Sequence, residues 1–192
     1  MSLRIGCVLM AAGSASRFGS DKLAVRLGGQ SLLRRASLAV PAARLWKTAL
    51  VTSRAEGREL AREFGFVSVE NNRPELGASL TVRLGLEAVI PCDAALFMAA
   101  DQPMLSRFSV ERLLEAWEAN PGSIAALASK GRRGNPVVFP EKYFGELLSL
   151  EGDIGGSAVI RRHPEALLTV EADELELQDV DYVSDLELFY DK

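Results

Sequence analysis

Residues 4–25 read RIGCVLMAAGSASRFGSDKLAV, and the way this stretch begins and ends decides the fold class. It opens on an almost unbroken apolar run, residues 5–10, with no polar alternation. That is the pattern of a parallel strand buried on both faces rather than of a half-exposed antiparallel one. Strand-like runs recur at 48–52, 65–69, 94–99 and 124–128. Between them lie helical patterns at 54–64 and 79–89, and a third that Ser109 caps and that runs to Asn120. Residues 22–39 also carry apolar side chains at helical spacing, interrupted by Gly28-Gly29. Strands alternating with helices of roughly 10–15 residues make βαβ units. The expected architecture is therefore α/β: a single-domain, Rossmann-like three-layer sandwich, with a mostly parallel mixed sheet and helices on both faces. Beyond residue 130 the spacing predicts a Gly134-Asn135-Pro136 loop, a short strand-like run at 137–139, two short helices, a strand at 167–170 and a final helix starting near Ser184. No repeat or linker breaks the pattern, so one domain over 1–192 is expected. In sheets of this kind ligands sit beyond the carboxyl ends of the strands.

Composition narrows the function classes. The 192 residues are 48% apolar and 25% charged, ordinary for a globular chain. The net charge of −4, with no basic stripe, argues against a nucleic-acid partner. Cys7 and Cys92 form no CxxC pair and read as small core residues in a reducing compartment. The one histidine, His163, excludes any site built on two imidazoles, and its place before Pro164 suits a helix end. Trp46, Trp117 and the phenylalanines read as core or surface-edge residues. No apolar stretch reaches about 18 residues, so no membrane span is expected. The first strand begins within a few residues of Met1, which leaves no room for a signal peptide and makes a cytoplasmic protein the expectation.

Three segments carry the chemistry. In residues 9–25, small residues let backbone N–H groups approach a polyphosphate, Arg17 offers a planar fork and Lys22 a point charge. A P-loop is excluded because Ser20, not lysine, follows Gly19, and a dinucleotide fingerprint because Ala15 stands at its second glycine. The competing reading is a glycine-rich turn with incidental surface cations. Asp101 ends the 94–99 strand run and precedes Pro103. A carboxylate there is costly unless solvated or bound to a cation such as Mg²⁺, the alternative being an ordinary strand-exit turn. Asp179 and Asp181 alternate in an extended stretch, so both point to one side. One of them completes a metal site, or the pair is simply exposed beside a helix start at Ser184-Asp185.

Taken in order, these segments resemble the MobA-like NTP transferase family of nucleotidyltransferases, and most closely its molybdenum cofactor cytidylyltransferases. LMAAGSASRFGSDKLAV (9–25) is similar to the LAAGxSxRxGxxK signature. NRPELGASLTVRLGLEA (72–88) resembles the family's GxSSLxxGL segment, and Asp101-Gln102-Pro103-Met104 its DQP motif. Residues 134–139 (GNPVVF) resemble the GxPxxF loop, and residues 179–186 the closing DxDxxxDL. The likeness spans about residues 4–189 and implies a fold of the nucleotide-diphospho-sugar transferase type.

The resemblance also implies roles. Leu9, Ala11, Ala12, Gly13 and Ser14, with Gly77, Ser79 and Leu80, would surround the nucleotide. Arg17 and Lys22 would hold its triphosphate, and Asp101 a Mg²⁺ ion shared with Asp181 or, alternatively, Asp179. Arg17, Lys22 and Asp101 are the expected catalytic residues. Gly134, Asn135, Pro136, Asp153 and Gly155 would face the acceptor. Ala-Ala-Gly at 11–13 favours a pyrimidine triphosphate, CTP, over GTP. The implied reaction is transfer of CMP to the terminal phosphate of molybdopterin, with delivery of the product to an apo-molybdoenzyme as a further possible partnership. Two other readings stay open: transfer to a sugar or polyol phosphate, and a non-catalytic nucleotide-binding or cofactor-insertion chaperone. The sequence departs from the family at Asn135, where histidine is common, and at 152–157 (GDIGGS), which lacks the arginine of GDxGAR. Arg161 or Arg162 is the expected substitute for that charge.

Overall fold

The computed structural model describes residues 3–12 and 22–189. Its elements are β1 (Ile5–Ala11), β2 (Arg26–Leu27), β3 (Gln30–Ser31), α1 (Leu32–Ala39), β4 (Lys47–Thr52), α2 (Ala55–Phe64), β5 (Val67–Glu70), α3 (Ala78–Val89), β6 (Ala94–Ala99), α4 (Arg107–Ala119), β7 (Ile124–Ser129), β8 (Arg132–Pro140), α5 (Phe144–Leu148), α6 (Ser157–Arg162) and β9 (Leu167–Glu171), joined by short 3-10 turns. Seven strands form one sheet in the order β5-β4-β1-β6-β8-β7-β9. Only β8 runs against its neighbours, β6 and β7.

The layering follows from the period of two along each strand. In β1, Ile5, Cys7, Leu9 and Ala11 pack into the cluster on one face of the sheet, while Val8 joins the cluster on the other. β6 divides in the same way, with Leu96 and Met98 on the first side and Ala95 and Phe97 on the second. Leu32 and Leu33 of α1, Leu60 of α2 and Leu113, Leu114 and Trp117 of α4 cover the first face. Val82 and Leu86 of α3, Leu147 of α5 and Val159 and Ile160 of α6 cover the second. The result is the expected three-layer sandwich, with Cys7 and Cys92 buried as free thiols in it. α3 lies close against the sheet because Gly85 has no side chain: a Cβ there would fall 2.2 Å from Cγ1 of Val8.

Four local expectations are corrected. Residues 22–39 are not a helix broken by glycines. A 3-10 turn (Lys22–Ala24) leads into a β2–β3 hairpin and then α1. Gly28 and Gly29 have φ of +59° and +81°, as a two-residue hairpin turn of the primed type requires. The α4 cap is Ser106, whose Oγ accepts from the Ser109 N–H at 3.1 Å, while Ser109 itself is buried inside the first turn. Residues 134–136 are not a free loop but part of β8. There the pairing jumps from Ala126–Val137 to Ala128–Arg133, an irregularity that bends the strand beside the groove. The terminal helix near Ser184 is a 3-10 helix, Val183–Phe189. Among the described residues no helix is long and apolar enough to cross a membrane.

Candidate functional site

The carboxyl ends of β1 and β6 form the floor of a groove. The strand-end backbone is fixed by the Ala100 N–H donating to the Met10 carbonyl at 3.1 Å. Asp101 follows directly. The C-terminal segment crosses over it, held by Val180 N–H donating to the Asp101 carbonyl at 3.0 Å and by Gln102 Nε2 donating to the Leu177 carbonyl at 3.2 Å. This places Asp179 and Asp181 beside Asp101 although the sequence puts them far apart. Asp185 holds the turn by accepting from the N–H groups of Asp181 and Tyr182, both at 2.8 Å.

Lys22 Nζ closes the cluster, 2.8 Å from Asp101 Oδ2 and 3.2 Å from Asp181 Oδ1. Burial works against its positive charge, but Asp101 and Asp181 outweigh it and raise its pKa. Asp179 is pushed up to about 6 by burial and by the neighbouring charges of Asp101 and Asp181, with Lys22 and a hydrogen bond from Gln102 acting in the opposite direction. Among the described residues, four buried side-chain polar atoms have no hydrogen-bond partner, and three of them are here: Asp101 Oδ1, Gln102 Oε1 and Asp179 Oδ1. Native proteins rarely leave such atoms unpaired, and when they do a ligand or catalytic role is a common reason.

Three adjoining hollows make up the groove, and Ala78 at the start of α3 lines all of them. One of about 190 Å³ includes Ala12, Gly77, Thr81 and Asp153. A second, about 250 Å³, includes Met10, Lys22 and Asp101. The third, about 400 Å³, has an apolar wall of Val82, Phe97, Val137 and Phe139 and a polar rim of Gln102, Arg133, Asn135, Ser157 and Asp179. Gly77 has φ +88°, and a Cβ on it would lie 2.5 Å from the Gly152 backbone. That close approach lets Asp153 Oδ1 accept from the Ala78 N–H at 3.2 Å, joining the 152–156 loop to the start of α3.

The expected residues therefore divide. Ala12, Gly77, Lys22, Asp101, Gly134, Asn135 and Gly155 line the groove. Asp181 meets Lys22 at its edge, and Asp153 is engaged at the α3 terminus. Leu9, Ser79, Leu80 and Pro136 are buried and line none of the three hollows. Ala11 is also buried, its carbonyl accepting from Arg54 Nη1 at 2.5 Å. Gly13, Ser14 and Arg17 lie outside the described residues. Of the two arginines expected to replace the missing family arginine, Arg162 is committed elsewhere, to Glu146. Arg161 stands beside Ser157 and acts electrostatically on Arg133. Sequence reading missed Met10, Ala78, Gln102, Arg132 and Arg133. Gln102, Met10 and Ala78 could have been found, since they sit inside the DQP motif and the 9–25 and 72–88 segments; Arg132 and Arg133 carry no periodic or motif signal. His163 is engaged with Glu146 at 2.6 Å, away from the groove.

Comparison with known proteins shows the family and the fold. The family model described as the MobA-like NTP transferase domain matches residues 7–167. The molybdenum cofactor guanylyltransferase of Shewanella sp. (strain ANA-3) is 32% identical over 139 residues, 72% of this chain and 68% of that protein. A nucleotidyl transferase from Methanothermobacter superposes with a TM-score of 0.81 at 23% identity, over 98% of this chain and 96% of that one. Rv0371c of Mycobacterium tuberculosis H37Rv in complex with manganese superposes with a TM-score of 0.77 at 23% identity, over the whole of both chains. Both solved structures share the fold.

Proposed function

The chain belongs to the MobA-like NTP transferase family of nucleotidyltransferases, and on that premise we propose that it transfers CMP from CTP to the terminal phosphate of molybdopterin with the help of Mg²⁺. A phosphate oxygen of the acceptor attacks the α-phosphorus and forms the new P–O bond. The bond to the β-phosphate breaks, and pyrophosphate leaves with the electron pair. The acceptor phosphate is already ionised near neutral pH, so no general base is needed, in keeping with a site that contains no histidine among its described residues.

The observation that carries this reading is the convergence of Lys22 and Asp101, from distant parts of the chain, on one point of the groove. Lys22 would bind the triphosphate as a point charge, and Arg17 would add a second cation. The unpartnered Asp101 Oδ1 and the oxygens of Asp181 are hard donors. Mg²⁺ takes one or two protein carboxylates and fills the rest of its shell with phosphate oxygens and water. Bound there, Mg²⁺ would neutralise charge that builds on the phosphates in the transition state. Ala12 and Gly77 would face the nucleotide, and Asn135 and Gly155 the acceptor.

The resemblance of Ala-Ala-Gly at 11–13 to pyrimidine-using members favours CTP, and Ala12 lines the smallest of the three hollows. GTP is the second reading, supported by the guanylyltransferase name of the Shewanella relative. The test is pyrophosphate release with Mg²⁺ or Mn²⁺ across CTP, GTP, UTP and ATP, with and without molybdopterin or with sugar and polyol phosphates. Release with CTP only when molybdopterin is present is the expected result. Release with GTP instead replaces the nucleotide assignment. Silence with every acceptor, alongside nucleotide binding, overturns the enzymatic reading in favour of a carrier or chaperone.

A further inference from the structure

The largest hollow holds a cation that the nucleotide does not need. Arg133 lies on β8, just beyond the irregularity in its pairing with β7, and lines that hollow together with Asn135, Val137 and Phe139. It lines this hollow and the small recess next to it, but not the one that contains Lys22 and Asp101. No carboxylate among the described residues pairs with it. Nearby, Arg161 of α6 reaches Ser157 Oγ at 3.5 Å and no carboxylate among the described residues. Burial and the charge of Arg161 both lower the pKa of Arg133. Two guanidinium groups near each other, neither paired with a carboxylate among the described residues, repel, and a bound anion relieves that repulsion. Other cations on this surface are already neutralised: Arg34 by Glu63, Arg44 by Glu115 and Glu118, Lys130 by Glu174 and Arg162 by Glu146.

We propose that Arg133, assisted by Arg161, is the anion-binding site of the acceptor hollow and holds a phosphomonoester group of the second substrate. This rests on the transferase reading and supplies the charge that the sequence lacks at 152–157. A guanidinium fork matches a phosphate with two parallel hydrogen bonds. The apolar wall of Phe97, Val137 and Phe139 beside it suits a flat ring carrying that phosphate. Arg133 and Arg161 would hold the acceptor phosphate whose oxygen attacks, while Lys22 and Asp101 hold the nucleotide.

Two measurements test the site. In steady-state kinetics with CTP and molybdopterin, Arg133→Ala should raise the acceptor KM at least tenfold and leave the CTP KM within about twofold, with Arg133→Lys restoring part of the loss. An unchanged acceptor KM, or a rise confined to CTP, overturns the proposal. The second measurement needs no turnover: phenylglyoxal labelling of arginines, read by mass spectrometry with and without inorganic phosphate. Phosphate should protect Arg133 and Arg161 in the wild type and in Lys22→Ala, and equal labelling in both conditions overturns the proposal. Protection without molybdopterin turnover would sink the proposed acceptor and leave the anion site standing. Turnover without protection would do the reverse.

Discussion

Lys22 Nζ lies 2.8 Å from Asp101 Oδ2 across 79 positions of sequence, with both side chains more than three-quarters buried. Neither partner has a local reason to be there. Lys22 starts the turn that leads into the β2–β3 hairpin, and Asp101 stands two residues past the end of β6. A charge pair withdrawn from water is a weak source of stability, because the loss of hydration offsets much of the attraction. Its value lies in presenting a cation and a carboxylate together at the open end of the sheet.

Lys22→Ala is therefore expected to reduce turnover by roughly 10²–10³, the scale seen when one preorganised charge donor is lost from an active site. Pyrophosphate release at saturating nucleotide measures it. Full activity in the variant would remove Lys22 from the reaction.

Asp101 is expected to act through the metal. Asp101→Asn should raise the half-saturating Mg²⁺ concentration by about tenfold or more, since the neutral amide is a poorer donor for a hard cation. A Mg²⁺ titration of activity at fixed nucleotide measures the shift, and chelation of the wild type should abolish release until Mg²⁺ is added back. An unchanged titration would separate Asp101 from the metal.

Asp179 predicts a pH signature in the chelator-treated protein. Its folded pKa, about 6, stands above the ordinary aspartate value of 3.8, so between these values the folded chain holds a proton that the unfolded chain has released. This contribution to stability is complete below about pH 4, declines as pH rises and is lost above about pH 6. Asp179→Asn removes the ionisation cost, and after allowance for partial exposure should stabilise by on the order of 1–2 kcal/mol at pH 8 with little effect at pH 4. Thermal unfolding at the two pH values reads this, and equal shifts at both would refute it.

Gly85 tests the packing that brings α3 to the groove. A Cβ there would meet Val8 Cγ1 at 2.2 Å and Val51 Cγ2 at 3.0 Å. Gly85→Ala should cost about 1–3 kcal/mol through overpacking, lowering Tm by about 2–4 °C per kcal/mol in a chain of this size. A Tm equal to the wild type would show that the sheet yields freely at this point.

Much of this was legible in the sequence because the signals were local. The apolar runs of β1, β6 and β7 announce strands buried on both faces, and the DQP and DVD segments announce carboxylates at a strand end and in an extended tail. What escaped depends on three-dimensional pairing. Leu23, Leu27, Leu32 and Leu33 keep a helical spacing, yet the first two pack into the core from a turn and a hairpin. The glycine pair at 28–29 carried the hairpin signal and the leucine spacing concealed it. Residues 134–136 look like a loop, but their neighbours are held in the ladder by β6 and β7. Met10, Ala78 and Arg133 line the groove only because separate elements meet there. Motif membership assigns Leu9 and Leu80 to the nucleotide; strand periodicity packs Leu9 into the core, and Leu80 is buried at the start of α3.

The most direct test of the central claim is anomalous diffraction from crystals grown with Mn²⁺ and a non-hydrolysable CTP analogue. The account predicts a manganese peak about 2.0–2.5 Å from the Asp101 carboxylate, with Asp181 or Asp179 as a second ligand and Lys22 turned onto the phosphates. Manganese bound elsewhere, with Lys22 still clasped between Asp101 and Asp181 and the nucleotide outside the groove, would contradict it.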